Sequence, residues 1–154
     1  MFELVKTHRD GTYSILFPDH LVELVVGLAG QLDSMLDDDR PELTRLFPTA
    51  YADDAERDAG YQILARGELI DQRRAHVERV AETAGADRVD EETVLAWMHV
   101  INDLRLVLGT MLDVSEDEPD VDDDDPRADG LEIYHILGVL LESIVGALHS
   151  RLTD

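Results

Sequence analysis

Apolar and polar positions divide the chain into a short β-like start and a series of helical stretches. The first 17 residues place "FELVKT" and "TYSILF" on either side of "HRDG". Asp10-Gly11 is a hairpin turn signal, so residues 1–17 are expected to form a short β-hairpin. A lone hairpin is marginal in water and must pack on a helix or pair with another chain. Pro18 suits the first turn of a helix reaching about Leu36, in which Leu21, Leu24, Val25, Leu28, Leu32 and Met35 recur on one face. "DDDRPE" ends it, and "PELTRLF" reads as one further short helical turn before Pro48.

From Asp54 to Ala84 the pattern is long, polar and helical. Ile63, Ile70, Val77 and Ala84 fall seven apart, with Ala59 and Val80 alongside. Gly60 and Gly67 weaken this helix, and Gly67 is a point at which it could divide in two. Gly85 fits its C-cap, and Asp90 fits the N-cap of the next helix, with Glu91 and Glu92 at the positive end. The last helix, about Gly130 to Leu152, is the most hydrophobic, with apolar residues over half its circumference or more.

The helix from about Glu91 to Leu112 contains "AWMHVINDLRLVLG" and is the most informative. At about 100° per residue, Trp97, Met98, Ile101, Leu104, Leu108, Met111 and Leu112 form one broad arc. Val100, Val107 and Ala96 widen it. A helix so nearly apolar all round is the central element of a bundle. His99, Asp103 and Thr110 fall together on the opposite side, so His99 and Asp103 are expected to be a water-facing i, i+4 pair. The sharper alternative is a metal or acid–base couple. Arg105 falls inside the apolar arc, where a guanidinium needs acceptors. It is expected to meet a carboxylate of a neighbouring helix or to snorkel; the alternative is an anion or carboxylate clamp, with Asn102 beside it.

Length and charge then narrow the function. With 154 residues the chain is expected to be one helical domain, four to five helices in a bundle-like packing with the N-terminal hairpin. Its net charge of −22 disfavours direct binding to nucleic acid and to anionic membranes. From Asp113 to Asp125 there are nine acids and no base, so 113–129 is expected to be a flexible acidic loop before the last helix. The apolar runs Leu21–Ala29 and Ile136–Leu141 are short and interrupted by charge, and no secretory leader is evident, so a cytoplasmic protein without a membrane span is expected.

Candidate chemistry is sparse. The chain has no cysteine, which removes disulfides, thiolate metal sites and cysteine nucleophiles. His135, Glu142 and His149 share a stripe, but successive members lie about 10 Å apart along a helix axis, too far for one metal ion. That stripe reads as a solvated face or a seam against a partner. "DVDDDD" starts like a calcium loop at Asp120, Asp122 and Asp124, but Asp125 and Leu131 stand where glycine and glutamate belong. No cofactor, metal or catalytic residue is therefore expected.

Two blocks, "TRLFPTAYADDAERDAGYQILARGELIDQRRAHVERV" and "AWMHVINDLRLVLGTMLDVSEDE", resemble an uncharacterised, mostly actinobacterial domain-of-unknown-function family of the DUF2017 type. The resemblance extends over nearly the whole chain and rests on Leu46–Tyr51 and on Asn102–Leu112. It implies no established activity. It does imply a gene neighbourhood that includes the Clp protease adaptor, and thus a role near regulated proteolysis. The residues it points to are Asn102, Asp103, Arg105 and Gly109, with Tyr51 and Arg66 behind them.

The resulting expectation is a noncatalytic cytoplasmic interaction or regulatory protein, self-associating as a homodimer through residues 130–152 and partnered by a protein, the Clp adaptor or protease among the possibilities. Two alternatives stand beside it. One is a small anion-binding protein or hydrolase using Arg105, Asn102 and Asp103, with His99 as a further binding residue. The other is an acidic mimic of nucleic acid.

Overall fold

The computed structural model of the chain describes residues 3–36, 55–112 and 126–153, without the side chains of 55–59, 61–64, 66 and 152–153. Its elements in chain order are β1 (Val5–Thr7), β2 (Tyr13–Ile15), α1 (Asp19–Met35), α2 (Ala55–Thr83), α3 (Glu91–Met111) and α4 (Ala128–Thr153). The fold is mainly α with an N-terminal antiparallel hairpin. The expected short turn at "PELTRLF", Tyr51 and the run Asp113–Asp125 lie outside the described residues.

The hairpin forms as the sequence predicts. β1 and β2 pair in the register Val5↔Ile15, Lys6↔Ser14 and Thr7↔Tyr13. Gly11 takes φ +93°, a conformation glycine adopts without steric cost. The Asp10 carboxylate accepts from the Thr12 N–H at 3.0 Å and from its hydroxyl at 2.6 Å, fixing the turn. What keeps so small a hairpin folded is its surroundings. Tyr13 exchanges two backbone hydrogen bonds with Val89, of 2.8 and 2.9 Å, so the α2–α3 joint adds one bridge to the edge of β2. On its other side, Arg151 of α4 donates to the His8 carbonyl at 3.0 Å and lies 4.8 Å over the Tyr13 ring.

α3 is the centre. It contacts α1, α2, α4 and β2. Val94, Ala96, Trp97, Val100, Ile101, Leu104 and Val107 are buried along it, as its nearly all-round apolarity demands. Asp90 caps it by accepting from the Thr93 N–H at 2.9 Å. Trp97 joins three elements. Its ring meets Phe17 edge to face at a centroid distance of 6.0 Å, and its indole N–H donates to the Thr83 hydroxyl at 3.0 Å. Thr83 in turn donates to the Arg79 carbonyl at 2.7 Å, so the end of α2 is fixed against α3. Gly85, at φ +84°, follows as the expected left-handed C-cap.

Three expectations change. α2 runs unbroken through Gly67, which is exposed with nothing within 4 Å of where its Cβ would stand. A single exposed glycine costs only about 1 kcal/mol relative to alanine, less than the strong helix formers around it and the packing of Ile70, Val77 and Val80 return. The acidic stretch expected over 113–129 ends earlier, because Pro126 and Arg127 form a turn and α4 begins at Ala128. There Arg127 donates to the Leu112 carbonyl at 2.9 Å, closing the end of α3 on the start of α4. Finally, α4 as a whole, Ala128–Arg151, is long and apolar enough to cross a membrane by length and composition. Its inward residues Leu137, Leu140, Ile144 and Ala147 pack on the core instead, while Val139 and Val145 remain 44% and 47% exposed.

The Trp97–Thr83 bond gives a direct test. Thr83→Val keeps the shape of the side chain but leaves the buried indole N–H without an acceptor, at a cost of about 1–3 kcal/mol. Thr83→Ser keeps the hydroxyl and loses much less. Urea denaturation followed by far-ultraviolet circular dichroism distinguishes the two; equal losses would show that the hydrogen bond is not what holds this joint.

Candidate functional site

α2 and α3 run antiparallel. As residue numbers rise along α2, their partners fall along α3: Arg73 meets Asp103, His76 meets His99, and Arg79 meets Thr93. This seam gathers most of the polar side chains that the core helix carries. Arg73 Nε lies 3.3 Å from Asp103 Oδ2. The His76 and His99 rings stack with centroids 4.7 Å apart and planes within 6°. Beside them an open cleft of about 580 Å³ is lined by Gln72, His76, Arg79, Glu92, Leu95 and His99.

The electrostatics follow from burial. Asp103 is only 7% exposed, and burial pushes its carboxyl up to about 6. The Arg73 guanidinium pulls the other way without cancelling that cost. His76 is pushed down, first by desolvation, then by the neighbouring His99, Arg73 and Arg79. Its Nδ1 is buried without a hydrogen-bond partner. The partial burial of the ring and the neighbouring positive charges both disfavour a proton on His76.

On its other flank α3 faces α4, again antiparallel, since Leu112 meets Arg127 and Gly130 while Arg105 meets Tyr134 and Gly138. The Arg105 guanidinium lies 4.5 Å over the Tyr134 ring. Gly138 makes this possible: a Cβ there would stand 3.2 Å from Nε. Nε itself is buried and has no hydrogen-bond partner. Stacking on tyrosine gains about 0.5–2 kcal/mol, and an unmet buried donor costs about 1–3 kcal/mol. The two nearly offset, so this arginine is held in place without being fully satisfied.

These positions correct several sequence readings. His99 and Asp103 are not a water-facing pair. His99 is exposed, but Asp103 is buried because the polar helix α2 covers that stripe and supplies Arg73 as counter-charge. Arg105 meets no carboxylate among the described residues; it stacks on an aromatic ring. Asn102 is exposed on α3, one turn before Arg105. Asn102, Asp103 and Arg105 do not converge, since Asp103 faces α2 and Arg105 faces α4. Gly109 is buried on α3. Arg66 lies in α2 with its side chain outside the description, and Tyr51 lies outside the described residues altogether. Among the described residues no group of three or more His, Asp or Glu side chains is placed to hold a metal ion.

Four residues that matter here were not singled out as site residues from the sequence: Arg73, His76, Tyr134 and Gly138. A signal existed for two of them. Arg73 and His76 are three apart on α2, as Asp103 and His99 are four apart on α3, so an antiparallel pairing of the two helices brings both pairs together. Nothing in the α4 pattern marks Tyr134 or Gly138 before Arg105 is placed against them.

Fold and seam together define a helical domain built around one central helix, with its polar groups paired between helices. The chain belongs to the family described as "Domain of unknown function (DUF2017)", whose model matches residues 2–148. Among known proteins it is similar to the "Oxidative stress regulator AosR" of Mycobacterium tuberculosis (strain H37Rv), 31% identical over 123 residues, covering 68% of this chain and 56% of that protein. It is also similar to the "Putative oxidative stress regulator AosR" of Mycobacterium leprae, 29% identical over 126 residues, covering 70% of this chain and 58% of that protein. The chain thus spans little more than half the length of these relatives. No solved structure matches it.

The seam predicts a pH signature. Asp103 binds its proton more tightly folded than unfolded, so its contribution to stability declines as pH rises from 3.8 through about 6. His76 has the opposite sign: its pKa is depressed below 6.5, so stability is lost as pH falls below 6.5. The two effects oppose each other in the same acidic window, so in urea denaturation between pH 4 and pH 8 Asp103→Asn should remove the decline that accompanies rising pH up to about 6, and His76→Gln should remove the loss that accompanies falling pH below 6.5. Parallel curves for wild type and Asp103→Asn would mean that folding leaves the proton affinity of Asp103 unchanged.

Proposed function

We propose that the chain is a noncatalytic, cytoplasmic regulatory domain that works by protein–protein contact. The observation that carries this reading is α4, whose buried side holds the core while Val139 and Val145 stay about half exposed on its outer side. The outer positions Glu132, His135, Val139, Glu142, Gly146 and His149 recur at alternating intervals of three and four residues, the spacing of a helix seam. Glu142 near the middle of that face argues for a protein partner over lipid, because a carboxylate at bilayer depth is costly. The names of the mycobacterial relatives point to regulation as well. A thiol switch within these residues is excluded, because they contain no cysteine; regulation here acts through surfaces.

In this reading α4 supports self-association over residues 130–152. A homodimer would bury Val139 and Val145 and place imidazoles near carboxylates across the seam. The link to Clp-type proteolysis rests on the family resemblance alone, and its test is direct binding of the purified chain to the Clp adaptor. The hydrolase reading loses support from the divergence of Asn102, Asp103 and Arg105.

Multi-angle light scattering across a hundredfold concentration range tests the seam. The wild-type chain should move from monomer to dimer, and Val139→Glu and Val145→Glu should each remain monomeric with unchanged circular dichroism. A wild-type chain that is monomeric throughout would remove self-association from the reading.

A further inference from the structure

The α3–α4 contact holds a positive group whose Nε meets no acceptor among the described residues. The chain carries 35 acidic residues against 13 basic ones. Its other inward-turned arginines have found acceptors: Arg73 meets Asp103, Arg74 meets Asp33, and Arg79 approaches Asp90 and Glu92. Arg127 and Arg151 hold backbone carbonyls. Arg105 has neither kind of acceptor among the described residues, although it is half-buried and its Nε is closed off from water.

The side chain is nevertheless held in one place. Tyr134 lies under the guanidinium at 4.5 Å, and Gly138 leaves room for its plane where any larger residue would press on Nε. A planar, oriented guanidinium has the geometry that recognises a carboxylate. With Nε covered, the two Nη atoms are the donors left for a ligand. The surroundings select the ligand further. Extending the antiparallel pairing by two turns places Met98 of α3 opposite Leu141 of α4, both partly buried, and Asn102 lies exposed on α3 between Met98 and Arg105. This face of the α3–α4 contact therefore carries one cationic group, an exposed amide on the same helix and partly buried apolar side chains. A polyanion would meet repulsion from the net charge of −22, whereas a single carboxylate within an apolar segment would not.

We infer that Arg105, held by Tyr134 and Gly138, is a receptor for a carboxylate carried on an amphipathic segment of a protein partner. The identity of the occupant as a protein rests on the interaction reading above; the carboxylate site itself does not. Monomeric behaviour in light scattering would leave this proposal standing, and failure of the experiment below would leave self-association standing.

The test uses the full chain, ¹⁵N-labelled, and follows the Arg105 Nε–H resonance. Propionate should shift it saturably at constant ionic strength, and chloride should not. A synthetic amphipathic peptide bearing one glutamate on its apolar face should bind, and the same peptide with glutamine should bind about tenfold more weakly or worse. Arg105→Gln should abolish this difference. Gly138→Ala, which keeps the charge but crowds the guanidinium, should reduce it with circular dichroism unchanged. No saturable response to propionate would overturn the site, as would a stronger response to inorganic phosphate or a single-stranded oligonucleotide. A propionate response without preference for the glutamate peptide would overturn the protein partner and leave a site for a free carboxylate.

Discussion

The constraint on which this fold depends is that α3 must be covered on nearly every side. A helix with Val94, Trp97, Val100, Ile101, Leu104 and Val107 buried along its length cannot remain at a surface. α1, α2 and α4 each take one flank, and the joint at Val89 brings β2 against its start. The covers are chemically unequal. α1 and α4 present apolar faces, whereas α2 is largely polar and contributes arginines and a histidine. The one polar stripe of α3 is matched by the one polar cover, so that Asp103 enters the interior with Arg73 beside it. Leaving Asp103 buried alone would cost far more than the pair does.

This matching explains how much could be read from the sequence. The hairpin, the caps at Gly85 and Asp90, the extents of α1, α3 and α4 and the central place of α3 follow from local pattern and turn chemistry. The fate of His99, Asp103 and Arg105 does not, because a helical wheel gives angles without saying what lies at each angle. Polar residues gathered on one side suggest water, and here that side meets another helix. Arg105 stands out in the sequence among apolar neighbours, but its partner is an aromatic face. Aromatic–guanidinium stacking leaves no charge pattern in sequence, and Gly138 announces its purpose only once the guanidinium is beside it.

The two flanks of α3 solve the same problem to different degrees. On the α2 side charge is met by charge, and the cost appears as the displaced proton affinities of Asp103 and His76. On the α4 side the cation is stacked and oriented but lacks an acceptor for its Nε donor. Natural cores rarely leave a half-buried guanidinium in that condition. The two sides thus differ in whether the polar group of α3 finds a counter-charge among the described residues.

The hairpin has a consequence for how the chain assembles. Its carbonyl at His8 is held by Arg151, 143 positions away, so this contact closes a loop nearly as long as the chain. The entropic cost of closing a loop rises only slowly with its length, by about 0.6 kcal/mol per doubling, and contacts nearer in sequence shorten the span this one must close. Phe17, just beyond β2, rests on Trp97, the single tryptophan. One indole therefore touches both the end of α2, through Thr83, and the segment that follows the hairpin, through Phe17. Its emission therefore reports on the covering of the central helix from both of these directions at once.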